Sequence, residues 1–165
     1  TWVFVYFDLD NFKPFNDLFG FRQGDRAILM FADLLTSHLT GADAFVGHIG
    51  GDDFFASRRT DNPEATIAEI GAVIETFRQD AAIFYDPETR TRGYVDGRDR
   101  EGQPRRYPLL SCSAAITVVP AGERSITVDE ISQTVADMKR VAKRSPDHLC
   151  IRRVEAEKKD RDQGE

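Results

Sequence analysis

The apolar run from Trp2 to Phe7 constrains the fold more than any other part of the sequence. It combines aromatic and β-branched residues without a charged position, a pattern typical of a central strand that is covered on both faces. Asp8 and Asp10 follow this run and place two carboxylates at the end of the strand. The chain therefore needs elements on both sides of a sheet, and that sheet has an acidic edge.

The spacing of apolar residues predicts the next four elements. Apolar residues recur at helical spacing over 25–39, and a second helix is predicted over 63–80. Short strands are predicted over 44–49 and 54–57. The turn at 50–53 has the sequence Gly-Gly-Asp-Asp, and a Gly-Asp pair between two apolar runs predicts a hairpin. The second acidic pair therefore lies at the tip of a hairpin.

The second half of the chain begins with a polar stretch. Residues 84–108 are rich in turn formers, which predicts an exposed insertion with a small hairpin reversing at 100–102. A strand is then predicted over 109–119 and a last strand over 148–154. Between them, Thr127 and Glu130 form a capping box for a helix that extends to about Ser145.

The order of these elements predicts an α/β fold of the α+β sandwich type. Its helices flank a mixed, mostly antiparallel sheet, as in the palm of nucleotide polymerases and in nucleotidyl cyclases. A length of 165 residues suits one core, so we expect one domain over 1–154. The nearly all-charged residues 155–165 are expected to form a flexible tail.

Composition limits the classes of partner. The chain has 28 acidic against 22 basic residues, which argues against a surface for nucleic acid. Its apolar runs fall far short of the roughly 20 residues of a membrane helix. Cys112 and Cys150 lie in apolar runs without metal-ligand spacing, which predicts free thiols in a reducing compartment. We therefore expect a cytoplasmic domain without nucleic-acid or membrane partners in this segment.

The two acidic pairs predict a metal site if their strands are neighbours. Asp8 and Asp10 would then converge with Asp52 and Asp53 at one edge of the sheet. Mg²⁺ prefers such hard oxygen ligands, and it commonly combines a few carboxylates with the phosphates of a substrate. The alternative is that these acids are solvated turn formers, which are common at strand ends.

Two motifs resemble the GGDEF family, the diguanylate cyclase domains. They are FDLDNFKPFNDLFGFRQGD at 7–25 and the variant motif GGDDF at 50–54. The resemblance implies that two GTP molecules are condensed into cyclic di-GMP with Mg²⁺ or Mn²⁺. Each GTP would be held by one domain of an antiparallel pair, so a second copy of the domain is an expected partner.

The resemblance also implies roles for individual residues. Asp8 and Asp52 would bind the metal beside the Leu9 carbonyl and Asp53, and Asp52 would also be the candidate catalytic base. An amide and a carboxylate together can satisfy the guanine edge, which adenine cannot match. The expected GTP-binding residues are the guanine-reading Asn16 and Asp25, and Lys13, Gly50, Gly51 and Lys143 near the phosphates.

Several positions depart from the family pattern. Asp53 stands where the family has Glu, and Asp147 stands where a phosphate-facing Arg is expected. The closing stretch VADMKRVAKRSPDH matches the family only loosely. A misplaced catalytic group can cost on the order of a hundredfold in rate. The alternative function is therefore a catalytically silent GTP-binding module that controls an attached phosphodiesterase domain.

The polar insertion carries a second resemblance. Its YDPETRTRGYV segment resembles GGDEF domains that occur beside EAL phosphodiesterase and CBS domains, so an EAL or CBS domain is an expected partner. A third possibility is a palm domain that makes another nucleotide product, because GGDD also occurs in CRISPR-associated palm polymerases. Asn16 and Asp25 favour guanine over that alternative.

Overall fold

The computed structural model describes residues 1–121 and 128–154, except for the side chains of 128–133. The predicted capping box of Thr127 and Glu130 and the predicted tail over 155–165 lie outside the described residues. No helix in the described ranges is long and apolar enough to cross a membrane.

Strands and helices alternate much as the sequence predicts. The strands are β1 Trp2–Asp10, β2 Ala44–Gly50, β3 Asp53–Arg59, β4 Tyr94–Arg98, β5 Pro104–Pro108, β6 Ser111–Val119 and β7 Leu149–Arg153. The helices are α1 Phe12–Phe19, α2 Phe21–His38, α3 Pro63–Asp80, α4 Pro87–Arg92 and α5 Val128–Ala142, with a short 3₁₀ turn at Ala81–Phe84.

The main sheet has five strands in the order β2-β3-β1-β6-β7. All of its neighbouring strands are antiparallel except β6 and β7, which are parallel. β4 and β5 form a separate two-stranded hairpin. The predicted mixed, mostly antiparallel sheet with β1 at its centre is confirmed.

The alternation of side chains along β1 divides the domain into two layers. Phe7 is fully buried on one face, where its ring lies 5.4 Å from the ring of Phe31 in α2. Phe31 also packs 5.0 Å from Phe77 in α3. The other face of the sheet meets α5, since Thr117 of β6 contacts Met138. Asp8 lies on this second face, because its alternation with Phe7 directs it towards α5.

The first helix is a difference from the sequence prediction, which has a loop between β1 and residue 25. Asn11 adopts a left-handed φ of 61° and turns the chain out of β1 directly into α1. Gly20, with φ 84°, separates α1 from α2. α2 therefore begins at Phe21 rather than at Asp25.

The predicted exposed insertion over 84–108 is only partly exposed. Its β4–β5 hairpin reverses at Gly102, which has φ 78°, close to the predicted turn. Tyr85, however, is 4% exposed and packs 5.3 Å from the ring of Phe19. Its hydroxyl accepts a hydrogen bond of 2.9 Å from the backbone N–H of Leu110. The start of the segment is therefore part of the core, because an aromatic ring fills the space beside α1.

Candidate active site

Pairing of β1 with β3 brings Asp8 of the first acidic pair to the second pair, Asp52 and Asp53, whereas Asp10 lies beyond the paired residues. Asp8 lies directly opposite Asp53, and the backbone N–H of Leu9 donates to the carbonyl of Asp52 at 3.0 Å. The hairpin tip needs glycine because Gly50 and Gly51 have φ values of 151° and 56°. The acidic turn is thereby fixed to the end of the central strand.

Lys139 of α5 and Lys143, which directly follows the helix, reach the acidic edge. Lys139 Nζ lies 2.7 Å from Asp8 Oδ2 and 2.9 Å from Asp53 Oδ1, so it bridges both carboxylates. Lys143 Nζ lies 2.6 Å from the other oxygen of Asp8, Oδ1, without the angles of a hydrogen bond. Asp8 is only 6% exposed. Its charge is therefore compensated by two ammonium groups rather than by water.

Asp10 is held by a separate polar cluster. Its Oδ2 accepts hydrogen bonds from Ser113 at 2.6 Å and from Ser111 at 3.2 Å. His148 Nδ1 lies 3.2 Å from the same oxygen and 3.2 Å from Ser113 Oγ. Since His148 and both serines point at one oxygen, the cluster fixes the orientation of Asp10.

The surroundings of Asp52 and Lys139 shift the pKa of both groups. Partial burial raises the pKa of Asp52, and the nearby charges of Asp8 and Asp53 raise it further. Partial burial acts to lower the pKa of Lys139, but its bonds to Asp8 and Asp53 outweigh this and raise it. Asp52 is therefore a stronger base than a free aspartate, while Lys139 stays charged at neutral pH.

The predicted guanine-reading residues lie on α1 and α2. Asn16 packs against Gly24, the residue before Asp25. A Cβ atom added at Gly24 would lie 1.9 Å from Asn16 Oδ1. That oxygen is buried and has no hydrogen-bond partner among the described residues, whereas Asp25 is exposed. Asn16 therefore has an unused acceptor, and the glycine provides the space for it.

Two other charged residues have local partners. Lys13, a predicted GTP-binding residue, is exposed and forms an ion pair of 2.7 Å with Asp17 within α1. Asp147 accepts hydrogen bonds from Ser145 and from the Leu149 backbone N–H, which lower its pKa. Asp147 therefore stabilises the turn before β7.

Sequence reasoning did not identify Lys139, Ser113 or His148 as parts of this site. Lys139 and Lys143 are four residues apart at the end of α5, where the Lys143 N–H still bonds to the Lys139 carbonyl at 3.1 Å, and this helical spacing was the available signal. Ser113 and His148 had no such signal, because strand register and a turn bring them to Asp10.

The donor atoms at this edge suit a hard cation. No three His, Cys, Asp or Glu side chains among the described residues are grouped closely enough to hold a metal by themselves. The metal ligands expected from the sequence motifs do not form such a group, because they combine the side chains of Asp8 and Asp52 with the backbone carbonyl of Leu9. Asp8 Oδ1 is buried, and within the described chain it meets the Lys143 ammonium at 2.6 Å without hydrogen-bond geometry. Such oxygen donors fit Mg²⁺ or Mn²⁺ whose shell a substrate completes.

The mostly antiparallel sheet flanked by helices, with acids at the end of its central strand, is a palm-like arrangement, and comparison with known families identifies the class. The family model "Diguanylate cyclase, GGDEF domain" matches residues 1–93, more than half of the chain. The chain belongs to this family. The matched range contains both motifs and therefore both acidic pairs.

Individual relatives support the same assignment. The chain is 43% identical over 51 residues to "Diguanylate cyclase DgcS" of Shewanella oneidensis, which covers 30% of this chain and 17% of that protein. The chain spans about a fifth of the length of the curated relatives it matches.

Solved structures share the fold. The coiled coil and GGDEF domain of DgcB from Caulobacter crescentus, solved in complex with c-di-GMP, has a TM-score of 0.62 at 15% identity, covering 92% of this chain and 69% of that one. An EAL/GGDEF domain protein from M. capsulatus has a TM-score of 0.55 at 22% identity, covering 91% and 83%.

Proposed function

We propose that this domain binds GTP with Mg²⁺ or Mn²⁺ and acts as one half of a diguanylate cyclase. The observation that carries the proposal is the attachment of the GGDDF turn to the end of β1, which holds Asp52 beside Asp8. A buried carboxylate oxygen and a carboxylate of raised pKa then face the same edge. A strand end and a turn that served only the fold would need neither the buried carboxylate oxygen of Asp8 nor the raised pKa of Asp52.

Asp8, the Leu9 carbonyl and Asp52 would hold the metal, which when bound would supply positive charge to the triphosphate oxygens. Asp52 would accept the proton of the ribose 3′-hydroxyl, since partial burial and the charges of Asp8 and Asp53 raise its pKa above that of a free aspartate. Lys143 is 42% exposed and would exchange its contact with Asp8 for a phosphate oxygen. Gly50 and Gly51 would let the backbone of the turn approach the phosphates.

Guanine would be read by the pair on α1 and α2. Asn16 and Asp25 offer an amide and a carboxylate, which complement the O6 acceptor and the N1 and N2 donors of guanine. The unpartnered Oδ1 of Asn16 supports this role, because a buried acceptor without a donor costs stability unless a ligand supplies one. Lys13 would turn from Asp17 towards the phosphates when GTP binds.

The product requires two copies of the domain. Each new phosphodiester bond forms when the 3′-oxygen of one nucleotide attacks the α-phosphate of the other, and diphosphate leaves. Since one domain binds one GTP, two half-sites must meet face to face. We place this reaction in the cytoplasm, where GTP is available.

A catalytically silent GTP-binding module is the second candidate. It would control an attached phosphodiesterase, with an EAL or CBS domain as its neighbour. Asp53 favours this candidate, because its side chain is one methylene shorter than the Glu of the family motif. The contact between Lys139 and both Asp8 and Asp53 also favours it, because an ammonium group occupies the space between two of the motif's acids.

Product analysis separates the two candidates. The domain is incubated with GTP and either Mg²⁺ or Mn²⁺, both alone and fused to a dimerising coiled coil, and cyclic di-GMP is measured by mass spectrometry. Asp52→Asn is the control, because it keeps the shape and removes the base. Synthesis only in the fused protein, abolished by Asp52→Asn, supports the cyclase. Tight GTP binding without product in any form supports the silent module.

A further inference from the structure

Lys139 bridges the two carboxylates that face each other across β1 and β3. Its ammonium lies 2.7 Å from Asp8 Oδ2 and 2.9 Å from Asp53 Oδ1, distances typical of strong charge-assisted hydrogen bonds. The same group lies 4.7 Å from the centre of the Tyr6 ring, an additional cation–π contact. Three groups of the sheet thus fix one side chain of α5.

The neighbouring Lys143 is placed differently. It touches Asp8 Oδ1 and lies 3.8 Å from Asp10 Oδ1, and its side chain is 42% exposed against 24% for Lys139. Neither contact of Lys143 has hydrogen-bond geometry, since both carboxylate oxygens lack a hydrogen-bond partner within the described structure. Lys143 can therefore move to a ligand, whereas Lys139 is held in place.

We propose that Lys139 is a built-in cation that occupies the position between Asp8 and Asp53 and leaves one divalent-ion position, formed by Asp8 Oδ1, the Leu9 carbonyl and Asp52. The inference rests on the proposed function, because it divides the proposed metal site. It reassigns Asp53 from metal ligand to partner of Lys139. Two carboxylates that would otherwise repel each other are neutralised without a second metal ion.

Lys139 should lower the affinity of the site for a divalent cation. Its positive charge lies within hydrogen-bond distance of one oxygen of Asp8, so it opposes a divalent cation on the other oxygen of the same carboxylate. Removal of Lys139 should strengthen metal binding. Removal of Lys139 and Asp53 together should have little effect, because the local net charge and the proposed ligands are unchanged.

Titration with MnCl₂ in the absence of nucleotide tests this inference, with free Mn²⁺ followed by electron paramagnetic resonance. Lys139→Met is expected to bind Mn²⁺ at least about tenfold more tightly than the original protein. The double variant Lys139→Met/Asp53→Asn is expected to remain within about threefold of the original protein, and it guards against misfolding because it leaves no unpaired charge at Asp53. Arg140→Met is the matched control, since Arg140 is exposed and pairs only with Asp137 among the contacts described.

Equal Mn²⁺ affinity of Lys139→Met and the original protein would overturn the inference. Loss of Mn²⁺ binding in the double variant would also overturn it, because Asp53 would then be a ligand. The proposed function is judged separately by calorimetry with GTP and Mg²⁺. A protein that binds Mn²⁺ as expected but not GTP would refute the proposed function alone.

Discussion

Replacement of Gly24 by alanine is expected to weaken GTP binding without unfolding the domain. The added Cβ would lie 1.9 Å from Asn16 Oδ1 and 3.2 Å from Phe12 Cζ, so the Asn16 side chain must rotate away. Alanine in a helix is favoured over glycine by about 0.5–1 kcal/mol, whereas overpacking costs about 1–3 kcal/mol. These terms partly offset each other, and we expect the unfolding free energy to fall by no more than about 2.5 kcal/mol.

The effect on binding should be specific to guanine. Displacement of Asn16 removes one hydrogen-bonding group from the base, worth about 1–1.5 kcal/mol, or roughly tenfold in affinity for GTP. Binding of ATP should change little, because its base lacks the matching groups. Isothermal titration calorimetry with GTP and with ATP, each with Mg²⁺, measures both affinities.

Gly71→Ala provides the matched control for this experiment. Gly71 also lies within a helix, α3, but an added Cβ there would meet only Leu149 Cδ1, at an ordinary distance of 3.9 Å. This variant should be somewhat stabilised and should keep its preference for GTP. A folded Gly24→Ala protein with an unchanged ratio of GTP to ATP affinity would refute the guanine-reading role of Asn16.

Three further predictions concern other parts of the domain. Burial raises the pKa of Tyr85 to about 12, so its contribution to stability is complete below its ordinary pKa near 10 and is lost as the pH rises through about 12. In a pH series of urea unfolding, Tyr85→Phe should therefore lose less stability at alkaline pH than the original protein. At neutral pH the same variant should be less stable by about 1 kcal/mol, because the hydrogen bond to Leu110 is lost. Asp52→Asn should weaken GTP binding in Mg²⁺ at least about tenfold while unfolding at a similar temperature, and unchanged affinity would exclude Asp52 as a metal ligand. Asp147→Arg should lower the free energy of unfolding by about 1–2 kcal/mol, because Asp147 accepts hydrogen bonds from Ser145 and from the Leu149 backbone. A gain of cyclic di-GMP synthesis in that variant would contradict the purely structural role of Asp147 in this turn.

The sheet and the acidic edge were predictable because local patterns determine both. The aromatic and β-branched run of β1 and the Gly-Gly-Asp-Asp turn each carry their own conformational preference. Pairing β1 with the adjacent hairpin strand then places Asp8 opposite Asp53 without any further information. The carboxylates converge as a consequence of strand register.

Helix α1 was not predictable from its own residues. It has only eight residues, includes Pro14, and follows a residue with left-handed φ at Asn11. Isolated helices of this length are not stable in water. Phe15 is buried against Phe84 and Tyr85, at ring distances of 5.3 and 6.0 Å, so residues some seventy positions later in the chain stabilise this helix. Tertiary packing, not local preference, sets its conformation.

The role of Lys139 also depended on tertiary structure. Its position on α5 follows from the sequence, but its partners Asp8 and Asp53 lie on two other elements. Lysine is ordinarily a solvated residue, so its type gives no indication of a bridge between two acids. The docking of α5 against β1 and β6 alone brings the ammonium to that position.

Burial of acids at this edge is the strongest physical argument that the site binds a ligand. Asp8 and Asp10 are 6% and 7% exposed, and each has one carboxylate oxygen without a hydrogen-bond partner in the described ranges. Lys143 Nζ lies 2.6 Å from Asp8 Oδ1 and 3.8 Å from Asp10 Oδ1 and balances their charge. Burying these carboxylates still costs free energy that an apolar or serine side chain at the same position would not cost. Packing of β1 against α5 does not require carboxylates, since Thr117 serves the same face on β6. Both the cyclase and the silent GTP-binding module need a cation at Asp8, so the burial of this carboxylate supports ligand binding in either case, and only turnover distinguishes the two.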